Sequence, residues 1–175
     1  MKIERPDDEG VTLIELILYM LIAGVILALV SATFINGWMA QASTTDRDAA
    51  TGQANLVSAS LQKSIRNAGA LSLTTGTSDT LVARVATGTN GSECRAWKRT
   101  ASGDLLYKTS SAAIDPNATT GWTTLATGIE GGPIFSASSA TRLTYSFTAE
   151  VGDTSIPIRG AVTAQAVIPG GGPCW

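Results

Sequence analysis

The hydropathy pattern divides the chain before any single residue is weighed. After a charged head, Leu16 to Ile35 form twenty consecutive positions without a charge. As a helix, such a run is long enough to cross the ~30 Å hydrocarbon core of a bilayer. The pattern then turns amphipathic. Ala50, Ala54, Val57, Leu61, Ile65 and Ala68 recur at spacings of four, three, four, four and three, which is one helical face. Asp46, Arg47, Asp48, Gln53, Asn55, Gln62, Lys63 and Arg66 fall largely off it. Asn36-Gly37 is a weak break, and Trp38 is placed for a membrane interface. Together these patterns predict one helix from Thr12 to Ala68, about 85 Å long, with Gly69 as its carboxyl stop. The stripe needs no chemistry beyond the core face of a helix.

Period-two patterns follow. The segment 71–79 is small and polar and reads as a connector. Thr80–Thr87 has branched residues in alternation. Cys94–Arg99 and Leu105–Thr109 flank a hairpin loop at Thr100–Asp104. Trp122–Ala126 is a short strand. Arg142–Val151 puts Leu143, Tyr145, Phe147 and Ala149 on one face and Thr144, Ser146 and Thr148 on the other. A last strand runs from Ile156 to Ile168, with Pro157 near its start and Pro169 at its stop. One long helix followed by antiparallel strands predicts an α+β fold, the helix covering one face of the sheet.

Composition narrows the function classes. The 175 residues carry 12 basic and 14 acidic side chains. Glu4, Asp7, Asp8, Glu9, Lys2 and Arg5 all precede Val11, which leaves ten of each sign behind them. A near-neutral remainder argues against a dedicated nucleic-acid binder. There is no histidine, which removes the usual general base, metal ligand and pH switch. The two cysteines, Cys94 and Cys174, are far apart. Behind a membrane segment they read most simply as one disulfide, against the alternative of two unpaired buried thiols.

The anomaly in the apolar segment is Glu15. A charge at the centre of a membrane helix costs ~2.5–3.5 kcal/mol on insertion scales, and such residues mark function by default. A secretory signal peptide has a shorter apolar region and no carboxylate at its start. A plain anchor accounts for neither Glu15 nor Gly10. The third explanation is a helix that leaves the bilayer to pack against copies of itself.

Gly10-Val11-Thr12-Leu13-Ile14-Glu15, followed by an apolar helix containing Gly24, resembles the amino terminus of type IV pilins and type II secretion pseudopilins. The resemblance implies a leader, residues 1–10, cut after Gly10 by a membrane prepilin peptidase. It implies N-methylation of the new terminus at Val11. It also implies that Glu15 faces the terminal amine of a neighbouring subunit during assembly, where pairing makes a desolvated carboxylate tolerable. Two positions depart from the family pattern. Val11 stands where Phe or Met is commoner, and no proline bends the helix around Ala32. The long helix ending in Leu61–Gly69, together with segments 94–108 and 122–135, is similar to the J/W-type minor pilins.

The expected organisation is a leader (1–10), a transmembrane or filament-core half-helix (11–35), an amphipathic half-helix (36–69) and a β-rich pilin domain (70–175). The implied partners are other pilin subunits, the prepilin peptidase, the membrane assembly platform and, before assembly, membrane lipid. Lys2 and Arg5 favour a cytoplasmic head and an extracytoplasmic carboxyl-terminal domain. No cofactor or metal is implied, and the chain reads as non-enzymatic.

Four other patterns each have an ordinary structural explanation beside a functional one. Ser60 and Lys63 match S-x-x-K, but that spacing on a helix arises by chance and the companion motifs are misplaced. Arg95, Lys98 and Arg99, interleaved with Trp97 and Tyr107, could hold single-stranded DNA or form an ordinary solvated hairpin. Asp115-Pro116-Asn117 could offer oxygens to calcium, yet it has the usual composition of a turn. Asn90-Gly91-Ser92 and Asn117-Ala118-Thr119 are glycosylation sequons, short enough to occur by chance.

Overall fold

A computed structural model describes residues 12–73, 76–88, 91–168 and 172–175. The chain divides into two compact units, the first ending at Ala42 and the second beginning at Ser43.

The first unit is built on the opening stretch of α1 (Leu13–Arg66). Its large apolar side chains between Leu13 and Met39 are exposed. The helix is long and apolar enough to cross a membrane. It is compatible with a single-pass anchor.

In the second unit α1 continues, and Ala50, Ala54, Val57, Leu61 and Ile65 are fully buried. This is the face that the spacing predicts. Full burial of Val57, Leu61 and Ile65 contributes ~1.5–3 kcal/mol each relative to exposure. The helix ends at Arg66 rather than Ala68. Ala68 instead opens β1 (Ala68–Leu71), which contains Gly69. The role of Gly69 is steric: a Cβ there would lie 2.8 Å from Ile168 Cγ1, where the chain passes after the last strand.

The strands form two antiparallel sheets. The first has the order β1, β3 (Thr80–Thr87), β4 (Gly91–Arg99), β5 (Leu105–Ser110), β6 (Thr123–Ala126). The second has the order β10 (Thr154–Thr163), β9 (Arg142–Val151), β8 (Phe135–Ser139), β2 (Gly76–Ser78). β7 (Ile129–Glu130) also pairs with β9. Thus 129–139 runs as an interrupted strand along one edge of β9, broken at Gly131–Ile134, where the Gly132–Pro133 peptide is cis.

One core joins helix and sheets. Leu81, Ala83, Val85, Trp97 and Leu105 from the first sheet meet Phe135, Leu143, Tyr145, Phe147 and Ala149 from the second around the buried stripe of α1. The alternation expected in β9 is observed, with Leu143, Tyr145, Phe147 and Ala149 all buried. A second, smaller cluster lies on the other face of the first sheet, where Val82, Cys94 and Ala96 meet Ile114 and Cys174. The observed layout is α+β: one long, amino-terminally apolar helix packed on antiparallel sheets.

Candidate functional site

Residues 12–19 form the first of the two regions that the sequence marks. Gly10 and Val11, the expected cleavage and methylation positions, lie outside the described residues. Thr12 is the helix N-cap: its carbonyl accepts the Leu16 N–H at 3.1 Å, and its Oγ1 takes the Glu15 N–H at 3.4 Å. A Thr whose side chain serves the third helical amide is half of a capping box. The other half would be the Glu15 carboxylate reaching back to the cap. It turns forward instead, and Glu15 Oε1 accepts the Tyr19 hydroxyl at 3.0 Å.

The local geometry explains the choice. Residues four apart share a helical face, and long helical side chains lean towards the amino terminus. Tyr19 therefore reaches back over the turn that carries Glu15. Both signals, Thr-x-x-Glu and Glu with Tyr at i+4, stand in the sequence, yet hydropathy and family resemblance singled out only Glu15.

The second region is the hairpin of β4 and β5. Arg95 and Arg99 share the helix-side face of the first sheet with Trp97, while Lys98 alternates to the opposite face. Each cation is already occupied. Arg95 donates to Glu93 Oε1 at 2.6 Å through Nε and to Ser64 Oγ at 2.8 Å through Nη1. Lys98 Nζ donates to the Pro116 carbonyl at 2.9 Å. Arg99 Nε and Nη2 donate to the two carboxylate oxygens of Asp79 at 3.1 and 3.2 Å. Trp97 is fully buried, donates to Ser60 Oγ at 3.2 Å and packs on Tyr107 with ring centroids 5.4 Å apart. A buried ring offers no platform for a base. Arg95, Lys98 and Arg99, the three basic side chains that could hold single-stranded DNA or belong to an ordinary hairpin, are split between two faces, each tied to protein.

The remaining motifs have structural roles. Ser60 accepts from Trp97, which accounts for one half of the S-x-x-K pattern. Asp115 Oδ1 accepts the Asn117 N–H at 2.8 Å, an Asx turn. Asn117 is exposed, and Asn90 lies outside the described residues. Cys94 and Cys174 form a disulfide across a separation of 80 residues. With the Ile114 N–H donated to the Cys174 carbonyl at 2.7 Å, it fastens the carboxyl-terminal residues to β4. The chain-entropy model gives ~4–5 kcal/mol for such a loop as an upper figure.

A groove on the outer face of the second sheet is lined by Pro133, Ser136, Thr144, Ser146 and Arg159. Among the described residues, no group of three or more His, Cys, Asp or Glu side chains could hold a metal ion. Comparison with protein-family models, with curated proteins and with solved structures finds no match to this chain.

Proposed function

We propose that the protein is a minor pilin or pseudopilin, a structural subunit of a type IV pilus-like filament. The observation that carries this reading is the position of Glu15. A lone carboxylate occupies the first turn of α1, five residues after Gly10, at the head of a helix able to cross a membrane. An ionised group in that setting is tolerated once it is paired. In this reading prepilin peptidase cuts after Gly10, and the new terminus at Val11 is N-methylated and supplies the pairing cation of a neighbouring subunit.

The subunit waits in the inner membrane with its leader cytoplasmic and its β-rich unit outside. The assembly platform then moves it into a filament with other pilins, at the cell surface or in the periplasm. The extracytoplasmic placement accords with the disulfide.

The test is substitution of Glu15 by Ala or Val. Both variants should remain membrane-bound and enter filaments less than the unaltered chain, by about tenfold if one hydrogen-bonded charge pair is lost. Unchanged incorporation would refute the role given to the carboxylate.

A further inference from the structure

We propose that Tyr19 is a positioning residue for the Glu15 carboxylate. Its phenol holds the carboxylate in the membrane-held subunit until a cationic partner replaces it. The proposal rests on the filament-subunit reading for the second half of that sentence only. The first half stands on geometry.

Glu15 Oε1 accepts the Tyr19 hydroxyl at 3.0 Å, and among the described residues this is the carboxylate's hydrogen-bond partner. The alternative local partner, the N-cap amide, is the one a capping box uses. Here the carboxylate bonds Tyr19, although Thr12 Oγ1 serves the Glu15 N–H. Leu16, Ile17 and Leu18, between the two residues, are apolar and exposed, as are Met20, Leu21 and Ile22 beyond them. In hydrocarbon these side chains supply no hydrogen bond, so an unpartnered carboxylate would keep its full desolvation cost.

A tyrosine suits this position for two reasons. Its ring is at home near the membrane interface. Its hydroxyl is a neutral donor, so the pair retains its negative charge. A carboxylate held by a neutral donor still attracts an incoming ammonium group, whereas one held by Lys or Arg would already be neutralised. Tyr19 therefore keeps Glu15 tolerable in lipid and available for exchange.

The test uses the full-length protein in vesicles of phosphatidylethanolamine and phosphatidylglycerol, with the variants Y19F, E15Q and the double variant. Y19F keeps the ring and removes only the hydroxyl. Difference infrared spectra against E15Q isolate the Glu15 carboxyl band. The ratio of membrane-integrated to alkali-extracted chain measures tolerance in lipid. The proposal expects the band to shift in Y19F and the ratio to fall about three- to thirtyfold, the range that hydrogen bonds within bilayers span. It expects no further fall when Y19F is added to E15Q. A band unmoved by Y19F, or an equal fall with and without Glu15, would overturn it. Neither readout involves filaments, so failure of the filament reading would show in the incorporation assay and leave this result standing.

Discussion

Arg99 clasps Asp79 with two parallel hydrogen bonds, Nε to Oδ1 at 3.1 Å and Nη2 to Oδ2 at 3.2 Å. Oδ1 also accepts the Ile134 N–H at 3.1 Å. Asp79 lies between β2 of one sheet and β3 of the other, Arg99 ends β4, and Ile134 precedes β8. One carboxylate thus ties the two sheets together at the break in the interrupted strand. The hydrogen bond to Asp79, more than its charge, raises the Arg99 pKa above its ordinary value, against a smaller opposing effect of burial. The clasp's stabilisation is therefore present at neutral pH and is lost as pH rises through the guanidinium's elevated pKa.

Asp79→Ala should destabilise the unit from Ser43 to Trp175 by about 1–2 kcal/mol. That is around and below the lower end of the ~1.5–3 kcal/mol range for hydrogen bonds to charged groups, because the Asp79 side chain is 38% exposed. Urea unfolding at neutral pH measures it. A change within about 0.5 kcal/mol, the usual size for an ordinary surface position, would show that the clasp carries no load.

Gly160 is required by its neighbour. It sits opposite Tyr145 in the pairing of β10 with β9, and a Cβ at 160 would overlap the tip of the Tyr145 ring. That tip is anchored on α1: its hydroxyl is 2.9 Å from Ser58 Oγ and accepts from Gln62 Nε2 at 3.1 Å. Gly160→Ala should push the ring aside, break these bonds and cost about 1–3 kcal/mol, as overpacking does. Thermal unfolding measures the loss. A neutral substitution would mean that the sheet edge yields freely.

Tyr107 makes the unit sensitive to alkali. Burial raises the pKa of its phenol; Arg95 opposes the rise and Glu93 adds to it. A folded-state pKa above the unfolded value stabilises below the unfolded value, and the stabilisation is lost as pH climbs through the folded one. The unaltered unit should therefore lose stability relative to Tyr107→Phe above the ordinary phenol value of about 10. Unfolding midpoints of the two proteins between pH 8 and pH 11 provide the comparison. A difference that stays constant with pH would contradict the assignment.

Much of this architecture is legible in the residues, and the rest is hidden for physical reasons. The stripe from Ala50 to Ile65 appears because burial on one side imposes a helical period. β3 and β9 match their expected limits because both alternate or carry branched residues. Strands β1, β2, β7 and β8 were not expected. They have two to five residues each; β1, β2 and β8 are rich in Gly, Ser and Ala and β7 has only two residues, so long-range pairing, not local preference, makes them strands.

The hairpin shows the converse. Arg95, Lys98 and Arg99 look like a cationic patch in the linear sequence. Glu93, one partner of Arg95, lies two residues away; the others, Ser64, Pro116 and Asp79, are 18 to 31 residues away and become visible only in the fold. Ser64 was missed altogether: it is a buried polar residue within the apolar stripe, kept there by Arg95. The Glu15–Tyr19 contact lies four residues apart. It was available from helical spacing alone, had the tyrosine been considered as more than an apolar residue.

In the proposed function the apolar helix is a polymerisation element released by cutting after Gly10, with Glu15 fifth in the mature chain. Intact-mass measurement of the protein, expressed together with a prepilin peptidase that processes it, tests this most directly. The account predicts a species beginning at Val11, heavier by one methyl group where the terminus is modified. A chain that keeps Met1–Gly10 while the peptidase processes a control prepilin would contradict it.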